Sequence, residues 1–347
     1  MAMLDYLIIG GGLSGIAFAE QLRKQSKSFC LITDDSQQSS KVAGGIFNPV
    51  ILKRFTLAWK ADKQLKEAML FYQAIEEILG KSLLKFMPIY RRFNSVEEQN
   101  DWFASADKPL LSSFLSTDLM KDIPGIHSEF SFGEVEQTGV LDTKRLLKAY
   151  RAFLQANDLL LVDTFDHQQM RIEEDVVYYK DKVAKRIVFC EGYGLVQNPF
   201  FRDLPLKGNK GEYLIIKSQE LKLTAMIKSS VFIIPLGHDL YKIGATYERK
   251  FENQKPSEEK KTYLQQKLDK VLDCSYEIID QQAGVRPTVP DRRPLIGQHP
   301  THKQLFICNG FGSRGVLIAP SASEMLFNYI EHKTPLDAAV DCKRYFN

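Results

Sequence analysis

The stretch LDYLIIGGGLSG, residues 4–15, decides the fold of this chain. Residues 4–9 are short and apolar and end in three consecutive glycines, which predicts a buried parallel strand. Residues 16–22 then have helical periodicity, and residues 29–33 form a second apolar run. A strand, a glycine turn, a helix and a second strand within about 30 residues predict a βαβ unit.

The glycines of this unit have the G-x-G-x-x-G spacing of dinucleotide-binding turns. Gly10 would permit a tight turn, Gly12 would bring the backbone close to a pyrophosphate, and Gly15 would allow the helix to pack closely on the strand. The N-terminus of the helix would then lie against the phosphate charge. The sequence therefore predicts a nucleotide cofactor at this turn.

An acidic residue is expected about 20 positions after the glycine motif, where it binds the ribose hydroxyls. Asp34 follows the second strand and is the favoured candidate, with Asp35 beside it. Strand alternation leaves a second possibility open, in which Thr33 is the last inward residue and both aspartates belong to a solvated turn. No arginine neighbours Asp34 in the sequence, which favours a ribose with a free 2′-hydroxyl, as in FAD or NAD, over NADP.

A second strand, glycine loop and helix lie near the C-terminal end of the sequence. Residues 305–308 are apolar, the loop NGFGSRG covers residues 309–315, and a helix is predicted over residues 316–331. A plain NAD dehydrogenase needs nothing further there, so this element favours FAD. Its N–H groups and helix N-terminus would face the flavin pyrimidine, where negative charge collects on reduction.

Length and composition are those of an ordinary globular protein. The chain has 347 residues, of which 44% are hydrophobic and 26% are charged, and this length predicts about two domains. A formal charge of +3 is too small to imply a nucleic-acid-binding stripe or a polybasic membrane anchor. Five cysteines without a C-x-x-C pair predict neither a disulfide framework nor a metal site. Because no signal-peptide pattern and no long apolar run is present, we expect a cytoplasmic protein.

Helices and strands follow one another along the rest of the chain. Residues 56–80 predict a long amphipathic helix, with Thr56 at its start and Gly80 at its end. Ser95 opens a capping box, and Asp142 precedes a further helix. Strands are predicted over residues 176–179, 187–190, 213–217, 231–234 and 240–244. The middle of the chain is therefore sheet-rich.

Six motifs, in order, give nearly the whole chain a resemblance to the FAD-dependent oxidoreductases of the D-amino acid oxidase superfamily, which includes glycine oxidase and monomeric sarcosine oxidase. The motifs are GGGLSG at residues 10–15, AGGI with NP at residues 43–49, TGVLD at residues 138–142, IGATYE at residues 243–248, AGVRP with PD and PLIG at residues 283–297, and GFGSRG at residues 310–315. Most of them are short, but six in the same order are a specific signal.

The resemblance implies a two-domain α/β flavoprotein. A Rossmann-type FAD-binding domain would be assembled from residues 1–80, 137–205 and 284–347, and a sheet-rich substrate domain from residues 81–136 and 206–283. FAD would be bound non-covalently, because residues 292–299, where the family's linking cysteine would lie, contain no cysteine. The residues predicted to contact FAD are Gly10, Gly12, Leu13, Ser14, Gly15, Asp34, Asp35, Ala43, Gly44, Gly45, Gly192, Gly310, Phe311, Gly312, Ser313, Arg314, Gly315 and Val316.

Arg286, Arg314 and Tyr247 are predicted to act on the substrate. In the family the arginine of the A-G-x-R-P motif commonly faces the substrate carboxylate, which makes Arg286 the first candidate, although it could instead bond local backbone carbonyls. Arg314 could contact the flavin or the substrate, or have a structural role. Tyr247, like Tyr213, could donate a hydroxyl or be an ordinary strand residue. Where glycine oxidase has a substrate-contacting tyrosine this chain has Phe232, which argues against a small glycine-like substrate.

The reaction that the resemblance implies is oxidation of the C–N bond of a primary or secondary amine, such as an amino acid or an N-substituted amino acid. Hydride would pass to flavin N5, and O2 or another acceptor would take the electrons. Five histidines lie in turn-like, polar surroundings and are expected to be solvated; they are His127, His167, His238, His299 and His302. Cys308 is expected to be a core residue of its strand.

Two other functions stay open. The sequence GSRG at residues 312–315 also resembles the flavin module of the bifunctional tRNA wobble-uridine modification protein, which oxidises a modified base. Three pairs of basic residues could line a mouth for tRNA, namely Lys53-Arg54, Arg91-Arg92 and Arg292-Arg293. The small charge surplus does not favour nucleic acid as a partner. The chain could also be a non-catalytic flavin-binding subunit of a larger dehydrogenase.

Overall fold

Two large sheets, each built from strands that lie far apart in the sequence, organise the structure. The computed structural model describes residues 3–346. Its α-helices are α1 (Leu13–Lys24), α2 (Ser39–Val42), α3 (Ala61–Leu79), α4 (Val96–Ala106), α5 (Thr143–Ala156), α6 (Glu258–Leu268) and α7 (Gly315–His332). Its strands are β1 (Leu4–Ile9), β2 (Phe29–Thr33), β3 (Ile46–Phe47), β4 (Val50–Ile51), β5 (Thr56–Leu57), β6 (Leu84–Phe86), β7 (Ile89–Arg92), β8 (Leu115–Met120), β9 (Phe132–Val135), β10 (Gly139–Leu141), β11 (Leu160–Val162), β12 (Met170–Glu173), β13 (Val176–Tyr179), β14 (Lys182–Phe189), β15 (Lys207–Lys217), β16 (Met226–Lys228), β17 (Phe232–Gly237), β18 (Leu240–Gly244), β19 (Glu277–Thr288), β20 (Leu295–Gln298) and β21 (Leu305–Asn309).

The first sheet has eight strands and a parallel centre. Its order is β11-β2-β1-β14-β13-β12, with β21 beside β14 and β20 beside β21. Strands β11, β2, β1, β14 and β21 are parallel, whereas β12, β13 and β20 are antiparallel additions. The centre is apolar because it is covered on both faces, and Leu7 and Ile8 have no exposed surface. This is the Rossmann-like α/β sheet that the sequence predicts.

The second sheet also has eight strands, in the order β19-β15-β18-β17-β16-β7-β9-β8, and is antiparallel except between β16 and β7. Strand alternation buries Leu214, Ile216 and Ile243 on one face, where Leu264 and Leu268 of α6 cover them. The opposite face of β15, β17 and β18 is therefore free to form one wall of a cavity. Two small sheets, β3-β10-β6 and β4-β5, complete the described strands.

Helix α3 begins later than the sequence predicts. Thr56 was expected to cap it, but Thr56 pairs with Ile51 in the β4-β5 hairpin, and the helix starts at Ala61 after Lys60 in a left-handed conformation. Pairing in the β4-β5 hairpin holds the backbone of Thr56 in an extended conformation, so Thr56 cannot cap the helix. Gly80 ends the helix as predicted, with φ +59°.

The other predicted helix starts are confirmed. The Ser95 side chain accepts a hydrogen bond from the Glu98 amide, and the Asp142 side chain accepts one from the Arg145 amide. The predicted domain boundaries remain a prediction, and β19 crosses the one between residues 283 and 284 without interruption. No helix within residues 3–346 is both long and apolar enough to span a membrane.

Candidate active site

A cavity of about 1030 Å³ lies where the carboxyl ends of β1, β2, β14 and β21 meet the free face of the second sheet. Open α/β sheets bind their ligands at this edge, because the loops and helix N-termini that follow parallel strands converge there. The volume is at the upper end of the range of about 300–1,000 Å³ for ligand sites. The cavity therefore has room for a large cofactor together with a substrate.

The turn after β1 is a close-packed glycine cradle. Gly10 has φ +105°, and a Cβ atom there would lie 2.5 Å from the carbonyl oxygen of Cys190. A Cβ at Gly15 would lie 1.8 Å from the carbonyl oxygen of Gly10, so only glycine allows α1 to approach β1 this closely. The N-cap residue Gly12 has no capping side chain, Ser40 Oγ accepts from the Leu13 amide at 3.2 Å, and the first turn has no acidic residue. This helix end is consequently available to an anion.

The end of β2 has one feature of each possibility that the sequence left open. Thr33 is the last residue of the strand and accepts a hydrogen bond from the Gly11 amide at 3.0 Å. Asp34 lines the cavity, whereas Asp35 does not and instead forms ion pairs with Lys41 and Arg151. Hydrogen bonds from Lys41 and Arg151 lower the pKa of Asp35 to about 2.

Asp34 remains the better candidate for a ribose contact. Partial burial raises the pKa of its carboxyl, but hydrogen bonds from Ser36 and Thr164 more than offset this and hold the pKa below its usual value. Although no arginine neighbours Asp34 in the sequence, one lies near it in space. Arg151 of α5 donates to the Asp34 carbonyl oxygen at 3.1 Å, a neighbour that sequence spacing could not reveal because it comes from a distant helix.

The C-terminal loop brings a second helix N-terminus to the same cavity. Arg314 precedes α7, which has neither a capping side chain nor an acidic residue in its first turn. The Arg314 guanidinium donates to the carbonyl oxygen of Asn48 at 2.8 Å, and burial lowers its pKa to about 10. Gly310 has φ +80°, and a Cβ there would lie 2.7 Å from Val289, so it shapes the turn without reaching the cavity. Cys308 is fully buried in β21, as predicted.

Loop 43–45 lies between the two sheets. A Cβ at Gly44 would lie 2.9 Å from Ile234 and 3.5 Å from the hydroxyl of Tyr213, so this loop packs directly on the second sheet. A Cβ at Gly45, where φ is +69°, would lie 2.0 Å from the carbonyl oxygen of Leu141. The glycines of the AGG motif therefore allow a close backbone approach on both sides of the loop.

Most of the residues predicted to contact the cofactor line this one cavity. They are Gly10, Gly12, Leu13, Ser14, Asp34, Ala43, Gly44, Gly45, Gly192, Phe311, Gly312, Ser313, Arg314, Gly315 and Val316. The structure leaves Gly15, Asp35 and Gly310 outside the lining. Gly15 and Gly310 shape the turns that carry their neighbours, and Asp35 points to basic side chains on the surface.

Arg286 lies on the second sheet at the other side of the cavity. Its guanidinium is flat against Gly211, where a Cβ would lie 2.2 Å from Nη2. Nη1 donates to the side chain of Asn209 at 3.1 Å and to the carbonyl oxygen of Thr246 at 3.2 Å. One edge of the guanidinium is thus held by the protein, and no carboxylate within residues 3–346 pairs with it. Arg286 bonds a backbone carbonyl and also lines the cavity, and its role toward a substrate carboxylate stays a prediction.

A row of cross-strand partners forms the floor of the cavity beside Arg286. Tyr213 of β15 pairs with Gly244 of β18, Gly244 pairs with Phe232 of β17, and Phe232 pairs with Lys228 of β16. Direct partners share a face of the sheet, and all four line the cavity. Tyr247 also lines it but is 63% exposed, which places it at the rim.

Sequence reasoning missed four polar residues of the site. Lys228 and Arg151 line the cavity, and Lys242 is buried beneath loop 43–45. His167 was expected to be solvated, which is wrong, because it lines the cavity with its Nε2 buried 3.2 Å from Glu191. The two lysines could have been found from the sequence, since each is a charged residue at an inward position of an otherwise apolar strand. Arg151 and His167 had none, because only tertiary packing brings them there.

The basic pairs do not form the predicted mouth. Lys53 lines the cavity, but Arg54, Arg91, Arg92, Arg292 and Arg293 do not. Arg91 is paired with Glu98, Arg92 donates to the carbonyl oxygen of His127, and Arg293 stacks on Trp59. These three side chains have partners within the protein, so they do not contribute free positive charge to the cavity.

Known proteins resemble this chain in sequence and in fold. A glycine oxidase of Pseudomonas aeruginosa is 24% identical over 95% of each chain. A bifunctional protein of tRNA 5-methylaminomethyl-2-thiouridine biosynthesis from Haemophilus ducreyi is 23% identical over 94% of this chain and 56% of its own length. The crystal structure of glycine oxidase from Geobacillus kaustophilus has the same fold, with a TM-score of 0.83 at 18% identity over 98% of both chains. The family model for FAD dependent oxidoreductases matches residues 5–328. The resemblance drawn from the six motifs is therefore confirmed, and the chain belongs to the FAD-dependent oxidoreductases of the D-amino acid oxidase family.

Proposed function

We propose that this chain oxidises the C–N bond of an amino acid, as a primary or N-substituted amine, with FAD bound non-covalently. The observation that carries the proposal is the guanidinium of Arg286, which faces the cavity and has no carboxylate partner among residues 3–346. A planar, permanently charged group of this kind binds a carboxylate through two parallel hydrogen bonds. The similarity to glycine oxidases supports an amino acid as the substrate class.

The residues at the first sheet fit FAD. Two helix N-termini without acidic residues in their first turns, those of α1 and α7, meet at one cavity, and the glycine cradle at residues 10–15 would be filled by any larger side chain. The first would hold the pyrophosphate, Asp34 the ribose, and the N-terminus of α7 with Arg314 the flavin end. When bound, FAD supplies the two-electron acceptor that this oxidation needs.

The cysteines of the chain support non-covalent binding. Within residues 3–346, Cys190 is the cysteine that lines the cavity, and it lies beside Gly10 at the pyrophosphate end. Burial, with a further contribution from Cys308, holds the pKa of Cys190 well above its ordinary value, so it is a poor nucleophile. We expect all the flavin to leave the protein on acid precipitation, and yellow colour that stays in the washed pellet would contradict this.

The second sheet would orient the substrate. Arg286 would bind the carboxylate and thereby fix the α-carbon relative to loop 43–45, which lies on the same sheet face. Gly244 leaves space between the rings of Tyr213 and Phe232. Phe232 offers an apolar wall and no hydroxyl, which favours a substituted nitrogen over the free amine of glycine. The floor would also exclude water from the reacting carbon.

Steady-state kinetics of Arg286→Met test the proposal. We expect the substitution to lower kcat/KM for the best amino-acid substrate by about a hundred- to a thousandfold, because the carboxylate loses a desolvated partner. Arg171→Met is the matched control, since the Arg171 side chain is 70% exposed and lies in β12, a strand that contributes nothing to the cavity. An Arg286→Met enzyme with unchanged kcat/KM would overturn the assignment.

Oxidation of a modified uridine in tRNA is the second candidate. It is supported by the similarity to the Haemophilus ducreyi protein along 94% of the chain. It is the weaker candidate, because the side chains of Arg91, Arg92 and Arg293 are bonded to or stacked on other residues of the protein. Binding of tRNA that falls steeply with salt, together with flavin reduction by the modified base alone, would favour it over the amino acid.

A further inference from the structure

Lys228 is a cation of the cavity that the amino-acid chemistry above does not use. Its ammonium lies 4.9 Å from the centroid of the Phe232 ring, and both side chains line the cavity. Within residues 3–346 no carboxylate pairs with this ammonium, which faces the Phe232 ring, the cavity and the charge of Arg91. The residue lies at the opposite end of the four-strand row from Tyr213.

The neighbours of Lys228 leave it without a counterion. Arg91 of β7 is its direct partner in the sheet and is the charged group that faces it. The carboxylate of Glu98 accepts a hydrogen bond from Arg91 and therefore does not serve as a counterion for Lys228. Burial, together with the charge of Arg91, lowers the pKa of Lys228 to about 8. Lys242 provides a contrast, because it is similarly buried but donates to the carbonyl oxygen of Ala43 at 3.2 Å. Lys242 thus has an acceptor within the protein, whereas the ammonium of Lys228 has none among the described residues and is available to an anion.

The sheet sets the distance between Lys228 and Arg286. The ammonium of Lys228 lies over Phe232 of β17, which is two strands from β15. Neighbouring strands are about 4.8 Å apart, so the separation across the sheet is about 10 Å. The guanidinium lies over Gly211, two residues from Tyr213, or about 7 Å along β15. The two cations are therefore separated by about 12 Å. One small amino acid cannot contact both, because its only carboxylate would be held at Arg286.

We propose that Lys228 binds a second anionic group of the substrate, so that the enzyme acts on N-substituted amino acids whose substituent ends in a carboxylate. This inference rests on the proposed function, which places the α-carboxylate at Arg286. A charge-assisted hydrogen bond of about 2.8 Å at each cation leaves about 6 Å between the two carboxylates. An extended chain advances about 1.2 Å per bond, so the carboxylate carbons would be about five bonds apart.

A matched substrate series tests this subsite. N-(2-carboxyethyl)glycine has the predicted spacing, iminodiacetate is one bond shorter, and N-propylglycine has the same shape as the first without the second charge. We expect the wild-type enzyme to prefer N-(2-carboxyethyl)glycine to N-propylglycine by about tenfold or more in kcat/KM. Lys228→Met should remove this preference, because it should lower kcat/KM for N-(2-carboxyethyl)glycine about tenfold more than kcat/KM for N-propylglycine. Lys222→Met is the control, since Lys222 is exposed and pairs with Asp239.

A binding measurement separates the subsite from turnover. The thioether analogue of N-(2-carboxyethyl)glycine has sulfur in place of nitrogen and cannot be oxidised as an amine. We expect isothermal titration of the FAD-loaded enzyme to give about tenfold to a hundredfold weaker binding of this dicarboxylate to Lys228→Met, with Lys228→Arg close to the wild type. Equal loss for the dicarboxylate and for its monocarboxylic propyl analogue would overturn the proposal, because it would indicate a structural role.

The outcomes distinguish this inference from the proposed function. If no amine reduces the flavin but dicarboxylate binding depends on Lys228, the anion subsite stands and the proposed function fails. If N-propylglycine is oxidised and Lys228→Met changes neither substrate, the subsite is overturned and the function stands. If Lys228→Met weakens salt-dependent binding of tRNA and no dicarboxylate binds, the anion is a nucleic-acid phosphate and the proposal is overturned as well.

Discussion

The ammonium of Lys242 donates to the carbonyl oxygen of Ala43 at 3.2 Å, and it lies 4.8 Å from the centroid of the Tyr213 ring. One buried lysine of the second sheet thereby contacts both the loop assigned to FAD and the tyrosine assigned to the substrate floor. Burial lowers its pKa to about 8, so it is held in place although the protein interior disfavours its charge. This contact couples the positions of loop 43–45 and of the sheet.

Lys242→Met should weaken FAD binding. The methionine fills similar space but cannot donate to Ala43, and a lost hydrogen bond from a charged group corresponds to about tenfold or more in affinity. Fluorescence titration of the apoprotein with FAD measures the dissociation constant, with Lys222→Met as the exposed control. An unchanged dissociation constant would mean that loop 43–45 keeps its position without this contact.

Gly211→Ala should impair substrate binding and spare FAD. The new methyl group would lie 2.2 Å from Arg286 Nη2, so the guanidinium must leave its position over the strand. We expect KM for the amino acid to rise by about tenfold or more, because the carboxylate clamp is displaced. Parallel titration with FAD should give the wild-type dissociation constant. A loss of FAD affinity as large as the rise in KM would refute the separation of the two sites.

Gly15→Ala should abolish FAD binding or folding. A Cβ there would lie 1.8 Å from the carbonyl oxygen of Gly10, which forces α1 away from β1 and opens the glycine cradle. Gly80→Ala is the control, because no atom lies within 4 Å of a Cβ at that position and its φ of +59° costs only about 1 kcal/mol. Flavin content and thermal unfolding of both variants check this expectation, which fails if Gly15→Ala retains a full complement of FAD.

Binding of a dicarboxylate should weaken as the pH rises through about 8. Below that pH Lys228 is protonated and attracts the second carboxylate, and above it the unliganded enzyme loses this charge. A bound anion raises the pKa of Lys228, so the decline in affinity is spread over the interval above pH 8. Calorimetry with the thioether dicarboxylate between pH 7 and pH 10 measures the effect. Lys228→Arg should show a flat profile, because an arginine keeps its charge over this interval. A decline of equal size in both enzymes would assign the titration to another group.

The local signals of the sequence predicted the first sheet and the glycine loops correctly. The apolar run before Gly10 and the apolar run before Asn309 are each followed by glycines and a helix, and short-range spacing suffices to specify such units. The cap at Asp142 was predictable for the same reason. The start of α3 was not, because the β4-β5 hairpin that includes Thr56 depends on contacts outside the helical pattern.

The substrate side of the site was less predictable. Arg286 was found through a family motif, but its neighbour Gly211 lies more than 70 residues away, and only the β15-β19 register brings the two together. The row from Lys228 to Tyr213 likewise depends on the pairing of four strands. Cross-strand register is not readable from a single apolar pattern, so this constellation required the structure.

The visible absorption spectrum of the purified protein, taken before and after anaerobic addition of amino acids and N-substituted amino acids, tests the central claim most directly. We predict a two-band flavin spectrum that is bleached by at least one of these compounds in the wild type, and that bleaches far more slowly in Arg286→Met at the same concentration. A protein that binds no FAD, or a flavin that none of these amino acids reduces, would contradict the assignment of this chain as an amino-acid oxidising enzyme.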